Sequence, residues 1–90
     1  MEGGFYAIID PAHCGGRSPV DVAQQVLSGG AAVLQLRMKT GSDRERVQLA
    51  RALRELTRAA RVPFVMNDRA DLALLVDADG LHLGQDDLSI

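Results

Sequence analysis

The chain is short of the residues that mark secreted, membrane-spanning or metal-clustered proteins. It has one cysteine, Cys14, so no internal disulfide can form. His13 stands beside it, but adjacent residues lack the spacing of metal ligands, and Cys14 reads as a free thiol in a loop. No apolar run approaches the roughly 18 residues that a membrane helix needs. Nor does a basic segment lead into an apolar one at the amino terminus, as in a secretory signal. Without a signal or a disulfide framework, the expected compartment is the cytoplasm. Aromatic residues are absent between Ser42 and Arg61, where six arginines face three acids. With Asp43, Glu45 and Glu55 interleaved and nothing to stack on a base, this segment reads as the solvated face of a helix rather than a nucleic-acid surface.

What is present is enough for one small domain. The chain has 90 residues, 47% of them hydrophobic, which supports a modest core and argues against disorder. A net charge of −2 conceals a polarity: from Asp68 to Asp87 six acids face Arg69 alone.

Phe5 to Asp10 is an apolar run of strand length, stopped by Pro11. Ser18, Pro19 and Asp21 then supply an N-cap, a proline at the first helical position and an acid at the capping-box position, opening a helix from Pro19 to about Ser28. Gly29 and Gly30 end it, and a second strand spans Ala32 to Arg37. Ser42 and Glu45 form another capping box, opening a helix that carries Leu49, Leu53, Leu56 and Ala60 at helical spacing and ends near Arg61. Phe64 to Asn67 is a third strand, Asp68 to Val76 suits a two-turn helix, and Gly80 to Gly84 is a fourth strand. Strands alternating with helices through short loops predict an α/β protein with a parallel sheet and right-handed crossovers.

The stretch Leu34 to Lys39 carries the chemistry. A period of two sets Gln35, Arg37 and Lys39 on one face and Leu34, Leu36 and Met38 on the other. An amide followed by two cations suits a polar ring and a phosphate or diphosphate, although an edge strand with a solvated face would show the same pattern. The other strands also keep polar residues at their carboxyl ends: Asp10, then Asn67 and Asp68, then His82, Gln85 and Asp87. Ligands bind at that edge of parallel sheets, and four consecutive strands contributing favours a TIM-barrel-type ring over an open flavodoxin-like sheet. With about four strands, the chain is expected to be a half-barrel in a single domain, with an exposed inner face and two open edges. Either two copies pair into a barrel-like dimer, or the chain is a truncated product or one piece of a split protein.

Asp68, Asp86 and Asp87 offer oxygen ligands suited to Mg²⁺, and the residues alone do not choose between the last two. A metal together with Arg37 and Lys39 would neutralise a departing diphosphate, while Gln35 and Asn67 would orient a heteroaromatic ring. His82 reads more readily as a packed, hydrogen-bonded residue than as a proton carrier.

Gln35-Leu36-Arg37-Met38-Lys39, Asn67-Asp68-Arg69 and Gly80-Leu81-His82-Leu83-Gly84-Gln85-Asp86-Asp87-Leu88, in that order, resemble thiamine phosphate synthase, as does the opening strand Tyr6 to Asp10. The resemblance covers essentially the whole chain but only the first half of a family member, which has eight βα units. It implies a TIM barrel that joins hydroxymethylpyrimidine diphosphate to thiazole phosphate, with release of diphosphate assisted by Mg²⁺. By motif position Gln35, Arg37, Lys39 and Asn67 would bind the pyrimidine diphosphate, and Asp68 and Asp87 the metal. His82 and Gln85 are further substrate or structural candidates. Met38 stands where the family commonly has an acid, on the outward side of the strand. The competing readings are a thiazole tautomerase-type relative, whose proton transfer requires no diphosphate and metal cluster, and a non-catalytic binding or assembly module.

Overall fold

The computed structural model describes residues 4–67 and 69–82, apart from the side chains of Ala70 and His82. Strands β1 (Tyr6–Ile9), β2 (Val33–Leu36), β3 (Phe64–Asn67) and β4 (Gly80–His82) alternate with helices α1 (Pro19–Ser28), α2 (Asp43–Ala60) and α3 (Ala70–Leu75). The four strands lie in sequence order, β1-β2-β3-β4, and every pairing is parallel. An open doubly wound sheet reverses strand order at a switch point, whereas an order that only advances is that of a barrel wall. The sheet is not closed: β1 and β4 are its edges among the described residues.

Register sorts the side chains as the sequence alternation predicts. Ala7, Ile9, Leu34, Leu36, Phe64 and Met66 are buried in the core with Ala23, Ala50 and Leu53. Burial of side chains such as Leu53 and Phe64 contributes about 1.5–3 kcal/mol each. α1 packs on β1 and α2, α2 on β3, and α3 on β3 and β4, so the helices cover this face. The opposite face bears Tyr6 and Ile8, 53% and 55% exposed, and across it Ile8 pairs with Gln35, Gln35 with Val65 and Val65 with Gly80. Leu81 is paired with Met66 on the helical side but is 36% exposed, because it lies on the edge strand.

The helix boundaries follow from local chemistry, with two corrections. α1 begins at Pro19 as expected, but Ser18 makes no side-chain cap; its carbonyl instead accepts the first helical bond from the Val22 amide at 3.0 Å. α2 has the complete capping box: Ser42 Oγ accepts from the Glu45 amide at 3.1 Å, and Glu45 Oε1 accepts from the Ser42 amide at 2.8 Å. Those bonds hold the Glu45 carboxyl below its usual range. The arginines of α2 are not one solvated face. Arg46 and Arg54 keep only 15% and 12% of their side chains exposed, because both guanidinium groups fold onto neighbouring loops.

Candidate functional site at the carboxyl rim

Asp10 ends the first strand, but its carboxylate is engaged locally. It caps a short 3-10 turn, Pro11–His13, accepting from the Ala12 amide at 3.0 Å, and it pairs with His13 Nδ1 at 3.1 Å. Cys14 is a free thiol directed at the Asp10 carbonyl, 3.3 Å away.

On β2, Gln35 is buried to 3% exposure although it lies on the face away from the helices. The cause is Tyr6, whose hydroxyl donates to Gln35 Oε1 at 2.6 Å across the sheet. Tyr6 therefore fixes which end of the amide accepts within the protein. The strand ends at Leu36, one residue before the expected end at Arg37, but the Arg37 amide still donates to the Ile9 carbonyl at 2.9 Å. Arg37 thus stays on the line of the strand. Its side chain is exposed, and its guanidinium makes no hydrogen bond or ion pair among the described residues. Met38 packs half-buried against the core, as an outward position requires, and Lys39 is exposed in the loop beyond.

That loop is shaped by α2. Arg46 reaches back so that its Nε donates to the Met38 carbonyl at 3.0 Å and its NH1 to the Gly41 carbonyl at 2.9 Å. Gly41 has φ +101°, a conformation that favours glycine, and a Cβ there would also lie 2.7 Å from Met38 Cε and 3.1 Å from Glu45 Oε1, so the methionine end would have to move. Arg46 also touches Asp43 Oδ1 at 3.2 Å, and Asp43 in turn receives Arg69 through two bonds, 2.7 and 3.1 Å. Arg69 completes the network on Asp71, at 3.1 and 3.0 Å. Hydrogen bonding from Arg69 holds both carboxyls below their usual range and raises the Arg69 pKa in return.

β3 ends at Asn67, half-buried and paired through the backbone with His82 of β4. Gln35, Arg37, Lys39 and Asn67 are thus brought to the carboxyl ends of adjacent strands. Asp68, Gln85, Asp86 and Asp87 lie outside the described residues, as does the side chain of His82. Among the described residues there is no group of three or more histidine, cysteine or acidic side chains able to hold a metal. Sequence reasoning missed Tyr6, Asp43, Arg46 and Arg69 as residues that shape the rim. For Asp43 the signal was present, since the Ser42 capping box fixes the first turn of α2; for Tyr6 it was not, because register between strands decides its partner.

A parallel βα wall whose strands run in sequence order, with amides and cations at its carboxyl rim, defines a barrel-type protein. The family model described as thiamine monophosphate synthase matches residues 5–90, and the chain belongs to that family. It is 49% identical over 87 residues to a thiamine-phosphate synthase of Natronomonas pharaonis, covering 97% of this chain and 41% of the relative. It is 51% identical over 84 residues to a thiamine-phosphate synthase of Moorella thermoacetica, covering 93% and 40%. The solved thiamine phosphate pyrophosphorylase from Pyrococcus furiosus superposes with a TM-score of 0.81 at 36% identity, over 90% of this chain and 39% of that one. The chain therefore spans about two fifths of the length of these relatives. No described helix is long and apolar enough to cross a membrane.

Proposed function

We propose that this chain supplies the pyrimidine-diphosphate half of a thiamine phosphate synthase site. The carrying observation is Arg37: an exposed guanidinium just past the end of β2, without a partner among the described residues, two residues beyond a Gln35 oriented by Tyr6. Arg37 and Lys39 bind the diphosphate, and Gln35 and Asn67 orient the pyrimidine ring. In the reaction the bond between the pyrimidine methylene and the diphosphate oxygen breaks, and the oxygen keeps the electron pair. The thiazole nitrogen then donates its lone pair to the methylene carbon, forming the new C–N bond. Cations fixed beside the leaving oxygens stabilise the charge that develops there.

Asp68 and Asp87 are the proposed Mg²⁺ ligands on the strength of their motifs, and a metal held there would supply further charge neutralisation. His82 and Gln85 remain candidates for substrate contact or support. Among the described residues β1 and β4 are open edges, and Phe5, Tyr6, Ile8, Leu74 and Leu75 are exposed. We assign that cover, and the thiazole side of the site, to a second four-unit half of the barrel. A second copy of this chain is the alternative occupant. The single cysteine suits a cytoplasmic setting.

The test is turnover of both substrates by the purified chain, alone and mixed with a chain carrying the remaining four units. Synthesis of thiamine phosphate only in the mixture is the expected result. Full activity of the chain alone as a monomer would overturn the assignment of the missing half. Absence of pyrimidine diphosphate binding in either form would overturn the function.

A further inference from the structure

The last paired residues of β2 and β3 are Leu36 and Met66. Beyond them the sheet no longer sets the distance between the loop that carries Arg37 and Lys39 and the entrance to α3 at Arg69. A chain of side chains does so. Arg46 gathers the Met38 and Gly41 carbonyls and touches Asp43, and Asp43 is gripped by both terminal nitrogens of Arg69, at the entrance to α3. Isolated surface ion pairs hold little, but two-pronged arginine–carboxylate contacts within a network are the exception. Arg69 makes two such contacts, one to Asp43 and one to Asp71, and so bridges two loops separated by 26 residues of sequence.

We propose that Asp43 and Arg69 are positioning residues that set the spacing of the cationic β2 loop and the entrance to α3, and so the affinity of the rim for a diphosphate. The inference rests on the diphosphate reading above. Neither residue is required to touch the ligand, which separates positioning from simple attraction by sign. Asp43→Asn removes a negative charge from the neighbourhood of an anion site, so electrostatics alone predicts tighter binding. Loss of the clamp predicts weaker binding.

The experiment is calorimetric titration of the full chain with hydroxymethylpyrimidine diphosphate, alongside hydrogen exchange of the unliganded protein. Asp43→Asn is expected to weaken binding about fivefold, and Arg69→Lys, which keeps the charge but loses the planar fork, about threefold. The double variant is expected to lose little more than the worse single one, because both changes cut the same link. In both variants amides 38–42 should exchange faster, while those of β2 and β3 do not. Binding by Asp43→Asn as tight as that of the parent or tighter, with unchanged exchange in the loop, overturns the proposal. If the parent chain does not bind at all, the diphosphate reading fails, and loop exchange alone then decides whether the clamp exists. If Asp43→Asn fails to fold, Arg69→Lys carries the test, since it leaves the first turn of α2 intact.

Discussion

The two ends of the strands use the same residue types for opposite purposes. At the amino end, Asp79 accepts from the Phe64 amide at 2.8 Å and grips Arg54 through bonds of 2.7 and 3.2 Å. Arg58 reaches Asp77 at 3.2 Å and Glu55 at 3.7 Å. These cations are spent on carboxylates that bind successive strands and α2 together. A concavity of about 280 Å³ lies there, lined by Arg54, Arg58, Arg61 and Asp79, but its charges are largely balanced from within. At the carboxyl end, Arg37 is directed to solvent with no described partner, and the neighbouring ion pairs shape its loop rather than engage it. Within one half-barrel, internal pairing marks the amino end, and an open cation marks the carboxyl end, where parallel βα folds bind ligands.

Substitutions should break this contrast in a definite order. Arg37→Ala is expected to cost roughly 10- to 100-fold in affinity for the pyrimidine diphosphate, while its unfolding free energy in urea stays within about 0.5 kcal/mol of the parent. Asp79→Ala should do the reverse. It leaves the Phe64 amide and the Arg54 guanidinium without their acceptor, and with Arg54 Nε already buried and unpartnered, a loss of about 1–3 kcal/mol in urea unfolding is expected, with affinity unchanged.

Acid should sharpen the same distinction. The Phe64 amide, aided by Arg54 and against some desolvation, lowers the Asp79 pKa; Arg69 lowers those of Asp43 and Asp71. A carboxyl whose folded pKa is depressed adds stability above its unfolded pKa and loses it as pH falls through the folded one. Stability should therefore be flat from neutrality down to the ordinary carboxylate range near pH 4 and decline below it. In Asp79→Asn that decline should be shallower, as read by urea midpoints across pH. The smallest effect belongs to Arg61, which caps α2 in the left-handed region at φ 59°. Arg61→Gly should relieve that conformation and raise stability by about 0.5–1 kcal/mol, without touching the rim.

Much of the fold was legible because local rules decide it. The Ser42–Glu45 box and Pro19 fixed the starts of α2 and α1, and alternation from Leu34 to Met38 separated core from open face. The capping role predicted for Ser18 failed because its backbone satisfied the helix without its side chain. Residues that support the site were hidden for a different reason. Tyr6 meets Gln35 across 29 residues and Arg69 meets Asp43 across 26, distances over which strand register and crossover geometry, not local spacing, choose the partner. Asp10 and Arg46 show the converse: polar residues that a linear reading assigns to the rim or to solvent are satisfied by loops that only the folded chain brings near.

We propose that the carboxyl rim, through Arg37, is the anion-binding end, whereas the amino end is structural. The most direct test is calorimetric binding of hydroxymethylpyrimidine diphosphate to the parent chain, Arg37→Ala and Arg58→Ala. Binding lost in Arg37→Ala and retained in Arg58→Ala is the predicted result; equal affinity in all three proteins, or loss confined to Arg58→Ala, would contradict it.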